Sequence, residues 1–78
     1  MPKKKLSTSA LIARIKALRS RHQLLDDRID RENTRPAPDS QVLRQLKRER
    51  LGLRDAIHVT RVMLARARAQ DTRRPSTA

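Results

Sequence analysis

The sequence has 78 residues, a formal net charge of +12, no aromatic residue and no cysteine. This length allows one small domain with a thin core, and the lack of aromatic and β-branched alternation argues against a β-sandwich or barrel. Without cysteine there is no disulfide or thiolate site, which favours a reducing, cytoplasmic location. The longest apolar run, residues 10–13, is too short for a membrane span or a secretory signal.

The N-terminal half predicts a basic flexible arm over residues 1–7 and a first helix over about 8–33. Ser7, Thr8 and Ser9 offer side-chain oxygens that can cap the start of this helix. An acid-free stretch over residues 1–21 also resembles a mitochondrial transit peptide, but the apolar stripe crosses its end without a phase break. Steps of four and three keep the stripe on one side of the helix. Its members are Leu11, Ile15, Leu18, His22, Leu25 and Ile29.

Two prolines, Pro36 and Pro38, predict a loop over residues 34–39, because each disfavours helix in the residue before it. Asp39 or Ser40 can cap a second helix, which we expect over about 40–70. Residues 71–78 contain Pro75 and small polar residues, and they predict a disordered tail. The second helix has its own apolar stripe, made of Leu43, Leu46, Arg50, Leu53, Ile57 and Leu64.

A short break between two long amphipathic helices predicts an all-α fold, an antiparallel two-helix hairpin with coiled-coil-like packing. The two stripes would form the seam between the helices. Charges beside the seam predict a register in which Asp26 meets Lys47 and Arg28 meets Glu49.

Several apolar residues lie outside the seam and would be exposed in a monomer, so we expect self-association into a helical bundle. They are Ile12, Leu24, Val42, Leu51, Val59, Val62 and Met63. Gly52 interrupts the second helix at a cost of about 1 kcal/mol against Ala. Two explanations for a glycine at this position remain open. Either a second helix crosses closely there in an oligomer, or the position is exposed and under no constraint.

The polar residues of the seam region predict no catalytic, metal or cofactor site, and no small-molecule ligand. His22 lies among leucines, and His58 does not converge with it. The acids between residues 26 and 32 alternate with arginines, which is typical of a salt-bridged solvated face. Arg50 on the seam is expected to pair with Asp26 or Glu49.

Charge is unevenly placed along the chain. Residues 22–57 carry eight bases and seven acids, whereas residues 1–21 and 58–78 carry twelve bases and one acid. A hairpin brings these two basic segments together at the end away from the loop, which we call the open end. The candidate contacts for an anionic partner are Lys3, Lys4, Lys5, Arg14, Lys16, Arg19, Arg21, Arg61, Arg66 and Arg68.

This basic composition leaves three interpretations open. Arginine and lysine can neutralise nucleic-acid phosphates, and without aromatic residues such binding would be led by the backbone rather than by base stacking. An anionic membrane or an acidic protein is a second kind of partner. The third interpretation is a charged face that only keeps the protein in solution.

Two runs of residues carry a resemblance to a known family. The first comprises Leu18, Arg21, His22, Leu25, Asp26, Ile29, Asp30 and Glu32, and the second comprises Asp39, Leu46-Lys47-Arg48-Glu49-Arg50-Leu51, Leu53-Arg54-Asp55 and Ile57. In these runs the chain resembles the YdcH-like family of small bacterial proteins, a domain of unknown function. The resemblance implies a self-associating helical hairpin with no assigned enzymatic activity and no catalytic or ligand residues. The basic arm, Gly52 and the Arg-rich end after Ile57 depart from the family pattern.

Together these observations predict a non-enzymatic hairpin that self-associates through its heptad seams and acts as an interaction or scaffold protein, a homo-oligomer without cofactors. The alternative is an accessory nucleic-acid-binding protein that contacts a DNA or RNA backbone through the open end.

Overall fold

The computed structural model describes residues 6–73, with side chains up to residue 70. Two helices make up this part of the chain, α1 over Thr8–Asn33 and α2 over Ser40–Arg73, and they pack against each other as an antiparallel hairpin. The predicted fold class is confirmed. Residues 1–5 of the predicted arm and 74–78 of the predicted tail lie outside the described residues.

Side-chain caps determine where α1 begins and ends. The Ser7 hydroxyl accepts a hydrogen bond from the Ala10 amide at 3.1 Å, which satisfies one amide of the first turn. At the other end the Thr34 amide donates to the Asp30 carbonyl at 3.1 Å, and the Thr34 hydroxyl donates to the Arg31 carbonyl at 3.0 Å. The two prolines that follow cannot continue the helix.

Asp39, rather than Ser40, caps α2. Its Oδ1 accepts hydrogen bonds from the amides of Gln41 at 2.9 Å and Val42 at 3.3 Å. A carboxylate at this position also interacts favourably with the positive end of the helix dipole.

The end of α2 lies later than the sequence predicts. The helix continues to Arg73, so the first three residues of the expected tail, 71–73, are helical. No glycine or proline occurs between Gly52 and Pro75, and a proline disfavours helix only in the residue immediately before it. The helix therefore continues past residue 70 to Arg73.

The core is a single row of aliphatic side chains between the helices. Its buried members are Leu11, Ile15, Leu25, Ile29 and Leu46. Leu43 and Leu53 pack against the part of this row formed by Leu25, Ile29 and Leu46. None of the predicted seam positions is exposed; those that are half-buried are Leu18, His22, Leu43, Arg50, Leu53, Ile57 and Leu64.

Gly52 provides a test of the packing around α2. A Cβ added at this position would meet nothing within 4 Å, so an alanine fits without a clash. We expect Gly52→Ala to raise the free energy of unfolding by about 0.5–1 kcal/mol, because alanine loses less backbone entropy on forming a helix. Thermal unfolding followed by circular dichroism measures this change. A lower melting temperature would show that a second chain approaches Gly52 closely.

Candidate functional site

Three polar side chains interrupt the apolar seam and connect the helices. Arg50 Nη1 lies 3.0 Å from Asp26 Oδ1, and His22 Nδ1 lies 3.2 Å from Asp26 Oδ2. The side chains of His22, Asp26 and Arg50 are 25%, 32% and 35% exposed. We call these three residues the polar cluster. Among the ion pairs of the described residues, Asp26–Arg50 is the one that joins α1 to α2.

The ion pair expected for Arg50 is confirmed, since Arg50 binds Asp26, one of its two candidate partners. The two pairs expected beside the seam, Asp26–Lys47 and Arg28–Glu49, are wrong. Asp26 pairs with Arg50 and not with Lys47, because Arg50 occupies a seam position from which its long side chain reaches the carboxylate. Arg28 and Glu49 line one shallow recess of about 300 Å³, but they form no ion pair in the part of the chain described. The register that these pairs were expected to set is instead fixed by Asp26 and Arg50.

His22 is held within the seam rather than presented to solvent. Its Nδ1 faces Asp26, and its Nε2 is buried without a hydrogen-bond partner. His58, by contrast, is exposed on α2. Over the described residues, no group of three or more His, Cys, Asp or Glu is arranged to hold a metal ion.

Two polar side chains are buried among the described residues, and each has a partner close to it in sequence. Glu32 is 8% exposed, and its carboxylate binds Arg35 Nη1 at 3.0 Å beside the loop. Thr60 is 3% exposed and donates its hydroxyl proton to the Ala56 carbonyl at 2.6 Å. Both groups thus stabilise the hairpin locally.

Away from the seam, α2 carries a second apolar surface. Leu51 and Val59 are 57% and 56% exposed, and Met63 and Val62 are 43% and 37% exposed. At 100° per residue these four side chains lie within an arc of about 120° on the side of α2 opposite α1. We call them the outer apolar face.

The described part of the open end carries bases without acids. Residues 6–21 and 58–70 contain no Asp or Glu. Every candidate anion-contact residue in these ranges is exposed, namely Arg14, Lys16, Arg19, Arg21, Arg61, Arg66 and Arg68. Lys3, Lys4 and Lys5 lie outside the described residues.

The comparison of charge between segments of the sequence missed one further basic feature of α2. Lys47, Arg54, Arg61 and Arg68 follow one another at seven-residue intervals on α2 and are all exposed. This basic row lies on one side of the seam, from the middle of the hairpin to the open end. Assigning heptad positions to every base of α2 would have found it, whereas counting charge by segment does not.

A family model described as Protein of unknown function (DUF465) matches residues 15–60, more than half of the chain. The chain belongs to this family. The match agrees with the YdcH-like resemblance and includes the whole polar cluster. No curated protein and no solved structure is significantly similar to the chain. Neither helix, over its described residues, has a stretch apolar enough to cross a membrane.

The polar cluster can be tested through stability. We expect Asp26→Ala to lower the free energy of unfolding by about 1 kcal/mol, because Arg50 and His22 lose a shared partner in a partly solvated site. Asp27→Ala is the control: Asp27 is exposed and makes no contact with α2 among the bonds described. Both variants gain the same helix propensity, so their difference reports the contact between helices. Equal denaturation midpoints in urea would contradict the assignment.

Proposed function

We propose that this chain is a non-enzymatic interaction module of the cytoplasm that self-associates through the outer apolar face of α2. The observation that carries the proposal is the alignment of Leu51, Val59, Val62 and Met63 on one side of a helix whose opposite side is already packed. Several large apolar side chains exposed on one side of a helix are typical of an interaction site.

The small size of the core also favours association with a partner. Five aliphatic side chains are buried in the hairpin, whereas seven large apolar side chains are exposed among the described residues. A domain of this size buries a small fraction of its apolar surface alone, and association is a common way to bury more. Pairing of two outer apolar faces would extend the two-helix hairpin to a four-helix bundle.

Charges within the outer apolar face favour a second copy of the same chain as the occupant. Asp55 and Arg66 lie on this side of α2, and neither has an ion-pair partner in the described chain. In an antiparallel pairing centred between residues 60 and 61, Asp55 of one copy faces Arg66 of the other, and Val59 faces Val62. A two-fold axis produces each of these contacts twice, as an isologous dimer requires.

Reversing these charges tests both the interface and its register. We expect Asp55→Arg to weaken self-association by about tenfold or more, since two arginines would then face each other. The double variant Asp55→Arg/Arg66→Asp is expected to recover association to within about threefold of the original protein. Sedimentation equilibrium over a range of concentrations measures both. A double variant as weak as the single one contradicts the proposed register.

The apolar contact has a matched control on α1. Leu51 and Leu24 are 57% and 60% exposed, but Leu24 lies outside the outer apolar face. We expect Leu51→Lys to shift the protein towards monomers, whereas Leu24→Lys leaves the association state unchanged. A concentration-independent monomer of the original chain, 9.0 kDa, would rule out self-association altogether.

The open end supports a second candidate function, binding to a nucleic-acid backbone. Seven exposed bases and no acid in residues 6–21 and 58–70 make a surface of one sign, and such surfaces attract phosphates at long range. Solvation alone needs no such segregation, because bases interspersed with acids also keep a protein soluble.

This second candidate predicts a steep dependence on salt. We expect binding to a short duplex at about 50 mM salt that weakens about tenfold or more at about 200 mM, because bound counterions are released from the phosphates. Fluorescence anisotropy of a labelled duplex measures the two affinities. Absence of binding at the lower concentration would leave the self-associating module as the function.

A further inference from the structure

We propose that the basic row of Lys47, Arg54, Arg61 and Arg68 is a binding surface for the phosphate backbone of a nucleic-acid duplex. The inference rests on the second candidate function and deepens it, because it assigns the contact to one side of α2 rather than to the open end in general. Two of the four residues, Lys47 and Arg54, lie outside the open end.

The spacing of the row suits an extended, regular polyanion. Seven helical residues rise about 10.5 Å, so the row from Lys47 to Arg68 extends about 32 Å along α2. One turn of a B-form duplex measures about 34 Å. A rigid helix therefore offers about four cations over the length of one duplex turn, and the row follows the seam because both share the heptad interval.

The surroundings of Lys47, Arg54 and Arg61 leave the charge of these three residues available. Asp26, the acid on the corresponding side of α1, already binds Arg50 and His22 with its two oxygens. Arg19 lies at the equivalent heptad position of α1 and is exposed, so α1 adds a base beside the row. Lys47, Arg54 and Arg61 take part in no ion pair among the described residues.

A recess in the row can receive an anionic group. It has a volume of about 240 Å³ and is lined by Arg54, Ile57, His58 and Arg61. Arginine presents several fixed donors to a phosphate, and the two guanidiniums lie on opposite sides of Ile57 along the helix.

The residues beside the row favour a duplex over other polyanionic partners. Along its outer edge lie Arg44, Leu51, His58 and Ala65, of which only Leu51 is a large apolar residue. The outer apolar face beyond Leu51 is the surface proposed for self-association, so a bilayer in contact with the row would gain little buried area. A single strand gains its affinity from stacking on aromatic side chains, and the chain has none. Contact with the phosphates of a stiff duplex requires neither a large apolar surface nor aromatic side chains.

Two pairs of substitutions in the middle of the hairpin separate the row from overall charge. Lys47→Gln/Arg54→Gln removes two bases from the row, and Arg28→Gln/Arg48→Gln removes two exposed bases that lie neither in the row nor along its edge. Both variants keep the open end intact and lose the same net charge. Circular dichroism and sedimentation confirm that each keeps its helices and its association state.

The measurement is a titration of the full chain with 20-base-pair DNA and RNA duplexes at several salt concentrations. For the original protein we expect a slope of log affinity against log salt of about −3 to −4, which means a loss of about 10²-fold between about 50 and 200 mM. Lys47→Gln/Arg54→Gln is expected to reduce the slope by about 2 and the affinity at about 50 mM by tenfold or more. The control pair is expected to stay within about threefold, and the preferred duplex identifies the source of the phosphates.

Other outcomes overturn the proposal in distinguishable ways. If both pairs weaken binding equally, or neither does, the basic row is wrong while binding through the open end stands. If the original protein binds neither duplex, both the row and the second candidate function are wrong. Binding to vesicles containing phosphatidylserine without binding to either duplex would assign the row to a membrane and overturn the inference. None of these results affects the test of self-association.

Discussion

The packing of α1 against α2 along one narrow seam is the constraint on which every other feature of this hairpin depends. Burial of aliphatic side chains is non-directional and would tolerate several alignments of two such helices. The Asp26–Arg50 pair favours one of these alignments, because sliding either helix by a turn would separate the two charges and cost Arg50 its partner in a partly buried site. The seam thus supplies the cohesion, and the polar cluster supplies the register.

Because each helix packs along one side only, most of its surface makes no contact with the other helix. The stripe of α2 that faces α1 is packed in the seam. The rest of the helix surface includes the outer apolar face and, on one flank, the basic row. These two surfaces adjoin at Leu51 but have no residue in common. Self-association through the first and phosphate contact through the second therefore do not compete for the same residues, and a dimer would carry two basic rows.

Much of the fold could be predicted because its signals are local. Caps such as Ser7 and Asp39 act on amides two or three residues away, and the prolines of the loop act on their immediate neighbours. The end of α2 was placed too early because no local signal stops the helix before Pro75. The charge pairs were predicted less well, since Lys47, Glu49 and Arg50 lie close together in sequence, and side-chain reach across the seam decides which one meets Asp26.

The sequence by itself determined two amphipathic helices, their antiparallel arrangement and the segregation of charge, because periodicity, capping and proline all operate within a few residues. Only the tertiary structure decided that Arg50 binds Asp26 rather than Glu49, that His22 shares this carboxylate, that His22 Nε2 is enclosed, and that Gly52 faces open space. These depend on distances between residues far apart in the chain. Identifying the basic row required both the sequence and the structure. The sequence shows the seven-residue spacing of its bases, and the packing of the helices shows that these bases are exposed and that Asp26 already has partners.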